Sequence, residues 1–146
     1  MNSIMLIHGP NLNLLGEREP EVYGRATLED YVDRVKSHAS TVGLSVEAVQ
    51  SNAEGDIVEA IHRARREHQA IIINAGALTH YAWSLHDALA AFSGPVIEVH
   101  ISQPNAREPW RHTSVVAPAA SGSIAGFGIL GYELAVSAVA SLLGKV

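Results

Sequence analysis

The chain has 146 residues, a net charge of −5, 47% hydrophobic and 17% charged residues, and no cysteine. That is enough sequence for one globular domain with a substantial core. The acidic balance, with no basic run longer than Arg65-Arg66, argues against nucleic acid and anionic membranes as partners. The missing cysteines remove disulfides, thiolate catalysis and cysteine metal sites together, and fit a cytoplasmic protein.

Short apolar runs alternate with helical patterns along the chain. "SIMLIH" reads as the first strand, and a long polar segment, "HGPNLNLLGEREPEVYG", follows it. Leu28, Tyr31, Val32 and Val35 then recur at helical spacing behind Thr27 and Asp30, which have the spacing of a capping box. "LSVEAV" is the second strand. Ser51 and Glu54 repeat the capping spacing, and Ile57, Val58 and Ile61 form the buried stripe of a second helix. "AIIINA" is a third strand, continuously apolar as in a sheet covered on both faces. Leu85, Ala88, Leu89 and Phe92 mark a third helix, stopped by "SGP". "VIEVHIS" is the fourth strand, "GSIAGFG" the fifth, and Tyr132 to Leu143 the last helix. Between Val115 and Leu143 the only charged residue is Glu133. Pro118 and several glycines interrupt that stretch, so a buried strand and helix fit better than a membrane span. The N-terminus has neither the basic residues nor the apolar length of a signal peptide.

Strands alternating with helices predict a single α/β domain. It should be a flavodoxin-like three-layer sandwich with a five-stranded parallel sheet, order 2-1-3-4-5. Ligands in such folds bind beyond the carboxyl ends of the strands, where strand order reverses. Three polar clusters end apolar runs there: "HGPNLN", "NAGALTH" and "EVHIS". Their convergence predicts a site.

Within it, Glu98 and His100 stand two apart in a strand and so share a face. A carboxylate beside an imidazole fixes its tautomer and suits it to general acid catalysis. Arg18 and Tyr23 are five apart in the long loop, and a guanidinium beside a phenol favours its ionised form. Arg107 and Arg111 flank Trp110 after strand four, and arginine forks bind carboxylates and diols at two points. "GFGILG" matches G-x-G-x-x-G, but the chain ends before the acidic partner a dinucleotide site needs; close packing of helix on strand explains it better. The eight histidines show no metal-site spacing. His38, His62 and His68 read as solvated surface, and His80 and His86 as lying on different faces.

These residues together resemble the type II 3-dehydroquinate dehydratases. "GPNLNLLGEREPEVYG", "QSNAEGDIVEAIH", "IIINAGALTH", "PVIEVHIS" and "ARE-WRH" fall in the family's order, over essentially the whole chain. The resemblance implies a cofactor-free, metal-free hydro-lyase of the shikimate pathway. It implies that Tyr23 is the base, that Arg18 favours the tyrosinate, and that Asn11 stabilises an enolate with a water. It implies that His100 is the general acid, oriented by Glu98. Asn74 and the backbone of Ile101 and Ser102 are implied to hold the substrate carboxylate, and His80, Arg111 and Asp87 the ring hydroxyls. Asp87 comes from a neighbouring subunit in the family, so homotrimers, assembled as dodecamers, are implied. Arg107 is implied to be a supporting lid or site charge. Three positions depart from the usual pattern: Ala75 replaces a proline, Gln103 and Asn105 stand in an altered "SQPNARE", and His8 is often asparagine. A flavodoxin-like binding module without chemistry is the rival from another class. A catabolic role in the quinate pathway is the runner-up within the enzyme reading, and sequence does not separate it from biosynthesis.

Overall fold

The computed structural model describes residues 2–145. Five strands form one sheet: β1 (Ser3–His8), β2 (Ser45–Gln50), β3 (Ala70–Asn74), β4 (Val96–His100) and β5 (Gly122–Ala125). All neighbours are parallel, in the order β2-β1-β3-β4-β5, as the alternation predicts.

Side chains alternate across a strand, so each strand feeds two cores. Ile4 and Leu6 of β1, Ile72 of β3, and Ile97 and Val99 of β4 pack with Tyr31, Val35, Tyr132 and Val136. These last belong to α2 (Leu28–Thr41) and α5 (Ile129–Leu142). Met5, Ile7, Ile71, Ile73 and Val96 face the opposite way, onto Ile57, Ile61, Leu85 and Leu89, from α3 (Glu54–Glu67) and α4 (Trp83–Ala90). Burying β1 and β3 on both faces is what makes them uniformly apolar.

Helix α2 starts as its sequence predicts: Thr27 Oγ accepts from the Asp30 N–H, and Asp30 returns the bond to the Thr27 N–H. Helix α3 does not. Its N-cap is Ala53, and Ser51 instead accepts from the Ala53 N–H and donates to Asp56. Glu54 is drawn away to accept from Ser84. Ala60 and Ala64 complete the α3 stripe, while Val58 is only half-buried. Helix α5 begins one turn earlier than its apolar pattern suggests, after Gly128. Gly131 is buried; a Cβ there would already touch Ile124 and Val99. The "GFGILG" run thus brings α5 close to the sheet. Strand β5 is a short, half-exposed edge rather than a buried strand. Among the described residues no helix is long and apolar enough to cross a membrane.

His68 is a correction. It is not solvated: its side chain is only 7% exposed, set between Ser3 Oγ (2.8 Å) and Glu47 (2.9 Å). Folding places β2 beside it, which local polarity could not reveal. Glu47, Glu67 and His68 also form one close cluster of potential metal ligands. Arg63 already pairs with both carboxylates, so a positive charge stands among them without a metal ion. His38 bridges α2 to Ser137 of α5, and His62 is exposed.

Candidate active site

The long segment after β1 is less irregular than its composition implies. A 3-10 turn at Leu12–Leu14 follows the strand, and a single helical turn, α1 (Pro20–Tyr23), closes it. Leu12 and Leu15 are buried and pin the inner part to the core. Pro20 opens α1, where its missing N–H costs nothing.

The inner part is also locked to the end of β3. The Gly9 N–H donates to Asn74 O at 2.9 Å. A Cβ at Gly9 would stand 2.2 Å from Ala75 O, and one at Gly76, whose φ is +60°, would stand 2.9 Å from Pro10 O. Only glycine allows the two strand ends to approach so closely.

The resulting cavity, about 240 Å³, lies where the three polar clusters meet. The first contributes Asn11, the third strand end contributes Asn74 and His80, and the fourth contributes His100, Ile101 and Ser102. Arg18 and Tyr23 enter from the loop, and Arg107, Trp110 and Arg111 from the segment after β4. Of the predicted residues, Glu98 and Asp87 do not line it. Glu98 lies behind His100; Asp87 is exposed on α4, outside its own chain's cavity.

Glu98 is 3% exposed and fully engaged. Its Oε2 accepts from His100 Nε2 (2.6 Å) and Ser114 Oγ (2.8 Å), and its Oε1 from Ser123 Oγ (3.1 Å). Burial pushes the Glu98 carboxyl up, but His100 and the two serines together outweigh burial and hold it below its ordinary value. An ionised Glu98 therefore directs the Nε2–H of His100 inward and leaves Nδ1 for the cavity side. His80 donates from Nδ1 to Thr113 O at 2.7 Å. Burial lowers its pKa, against the opposing pull of that backbone bond, so His80 is neutral with Nε2 free to accept.

Tyr23 has two arginines. Arg107 Nη1 donates to its hydroxyl at 2.8 Å, and to Ser102 Oγ at 3.1 Å. Arg18 lies over the ring, 4.8 Å from its centroid, and pairs with Glu19. The hydroxyl contact thus falls to Arg107, 84 residues distant in sequence. Loop spacing pointed to Arg18; nothing local could reveal the other. Arg111 lies against Trp110 (4.0 Å) and is held by Glu108 (3.1 Å). Asn11 is held at φ 69°, a left-handed conformation asparagine tolerates. Its N–H donates to Asn52 at 3.0 Å, and its carboxamide caps nothing in the turn that follows.

Beneath the cavity lies a polar group the sequence did not suggest. Asn74 Nδ2 donates to the Tyr132 hydroxyl at 3.1 Å, and that hydroxyl lies 3.0 Å from His8 Nε2. Residues 8, 74 and 132 are buried, His8 and Tyr132 completely.

The arrangement offers a phenol held by a cation, a carboxylate-backed imidazole and two carboxamides around a space fit for a small polar metabolite. The sequence profile of the family described as "Dehydroquinase class II" matches residues 2–140. A 3-dehydroquinate dehydratase of Halalkalibacterium halodurans is 51% identical over 139 residues, 95% of this chain and 96% of that one. One from Ruegeria pomeroyi is 52% identical over 143 residues, covering 98% and 96%. A crystal structure of type II dehydroquinase from Propionibacterium acnes superposes with a TM-score of 0.92 at 42% identity, covering 97% of each chain.

Proposed function

The chain belongs to the class II dehydroquinase family, and from that premise we propose that it dehydrates 3-dehydroquinate to 3-dehydroshikimate on the shikimate route to aromatic compounds. The observation that carries the reading is that Tyr23 and the Glu98-backed His100 line one cavity from two independent elements.

Loss of water beta to a carbonyl requires a base at C2, a stabiliser for the enolate oxygen and an acid for the departing hydroxyl. Tyr23, as the phenolate, takes the C2 proton, and the C–H electron pair moves into the enolate. Arg107, on its oxygen, and Arg18, over its ring, favour that charge. Asn11 supplies a carboxamide to the enolate oxygen, together with a water. The enolate then expels the C1 hydroxyl as His100 gives it a proton, so one water leaves and the ring gains a conjugated double bond. Glu98 orients His100 and compensates the charge on its imidazolium form.

Asn74 and the backbone of Ile101 and Ser102 hold the substrate carboxylate. His80 and Arg111 hold ring hydroxyls. Asp87 reaches the cavity of a neighbouring copy within homotrimers, the state the family resemblance implies, often assembled as dodecamers; its exposure on α4 is compatible with that role. Neither Lys36 nor Lys145 lines the cavity, so a lysine Schiff base has no residue to form on.

The direct test is incubation with 3-dehydroquinate while following the ultraviolet absorbance of the enone. Tyr23→Phe should lower kcat by about 100-fold or more, the scale of a lost acid–base group, and leave KM little changed. Folded, assembled protein that forms no enone overturns the proposal.

A further inference from the structure

The Asn74 carboxamide can face the cavity with either a donor or an acceptor, and its buried neighbours decide which. Its Oδ1 accepts from the Gly76 N–H at 3.2 Å, and its Nδ2 donates to Tyr132. An amide nitrogen carries two protons, so one remains beyond the bond to Tyr132. The Tyr132 hydroxyl, having accepted from Asn74, has one proton to place, and His8 Nε2 lies 3.0 Å away.

Two proton arrangements are conceivable. If Tyr132 donates to His8, the only unpartnered group is the His8 Nδ1–H. If His8 Nε2 donates instead, the Tyr132 proton and the bare His8 Nδ1 are both stranded. Buried orphans are costly, so the first arrangement wins. Burial lowers the His8 pKa to about 3, which keeps the ring neutral and Nε2 an acceptor. The rings of His8 and Tyr132 lie parallel, centroids 5.6 Å apart, and Tyr31 meets Tyr132 edge-on at 4.9 Å. Neither ring can turn away. The close approach of α5 at Gly131 is what lets the hydroxyl reach the strand ends.

We infer that His8 and Tyr132 are positioning residues that fix Asn74 with its remaining N–H turned to the cavity, so that this part of the site selects an anionic oxygen over a donor group. With an apolar residue at position 8, the Tyr132 proton would swing to Asn74 and favour the flipped amide. That would set the NH2 group against the Gly76 N–H and offer the substrate an acceptor. The inference rests on the proposed contact between Asn74 and the substrate carboxylate.

The test compares steady-state constants for 3-dehydroquinate. Tyr132→Phe and His8→Leu should each raise KM about tenfold, equivalent to about 1.4 kcal/mol, with kcat within about threefold. His8→Asn, whose amide oxygen still accepts from Tyr132, should recover most of the loss. Adding Tyr132→Phe to Asn74→Ala should cost nothing more. A KM unchanged by Tyr132→Phe but raised by Asn74→Ala overturns the inference. In nitrogen-15-labelled protein the Asn74 side-chain amide signals should move on Tyr132→Phe, a readout that needs no turnover; unmoved signals overturn the inference whatever the kinetics. Failure of the underlying function shows separately, as absence of turnover by the unaltered enzyme.

Discussion

His8 gives the chain a calculable sensitivity to acid. In the native state burial lowers its pKa from 6.5 to about 3, so between these values the unfolded chain binds a proton that the folded one refuses. Stability is therefore greatest above about pH 6.5 and falls as pH drops toward 3. At pH 5 the unfolded histidine is almost fully protonated and the native one is not. The difference is about 1.5 pH units at about 1.4 kcal/mol each, or about 2 kcal/mol relative to pH 8. His8→Asn abolishes this contribution while keeping an acceptor for Tyr132. His80, also lowered by burial, acts in the same direction, and the carboxylates add their own dependence, but these terms are common to both proteins. The assay is urea unfolding at fixed protein concentration from pH 8 to pH 5. With a slope of about 2 kcal/mol per molar, the parent should lose about 1 M more in midpoint than His8→Asn over that interval. Parallel pH dependences would refute the reasoning.

The two arginines at Tyr23 should be separable. Arg107→Met removes a charged hydrogen bond to the hydroxyl and should lower kcat by about 10- to 150-fold, whereas Arg18→Met, which leaves that bond intact, should cost less; equal losses would contradict the geometry. Gly9→Ala drives a Cβ into Ala75 O and should destabilise the fold by about 3 kcal/mol or more, measured as a fall in thermal midpoint. Gly24→Ala meets no neighbour and should cost only the strain of a backbone conformation (φ 79°, ψ −169°) that side chains rarely adopt, about 1–3 kcal/mol.

Much of the architecture was legible because it is local. Strand β1 carries its hydrophobic run without a break, and the reciprocal Thr27–Asp30 bonds need only three residues' separation. Glu98 and His100 were legible as a pair for the same reason: a strand's two-residue period puts them on one face. What stayed hidden is what the fold brings from afar. Ser114 and Ser123 reach Glu98 from a loop and from β5, and Arg107 reaches Tyr23 across 84 positions. His68 looked solvated because its partners, Ser3 and Glu47, lie on other elements. Ser51 and Glu54 show the converse error, where correct capping spacing yields to competing bonds: Ser51 donates to Asp56, and Glu54 accepts from Ser84. His8 and Tyr132 left no trace in any window, since a histidine ending one strand and a tyrosine one turn into the last helix meet only in the assembled core.

The interlocked ends of β1 and β3 divide the wall of the site into two parts. Gly9 and Gly76 hold the two strand ends in close contact, and Leu12 and Leu15 are buried just beyond, so the long segment is anchored as far as residue 15. Asn11, Asn74, His80 and His100 stand on the anchored side of that boundary; Arg18 and Tyr23 stand on the other. A small polar ligand therefore meets a floor that is already in register, while the phenol is presented from a segment tied down across the cavity, at Arg107. Alterations beyond residue 16 should then leave the geometry of that floor intact, while alterations at Gly9 or Gly76 should disturb both strand ends at once.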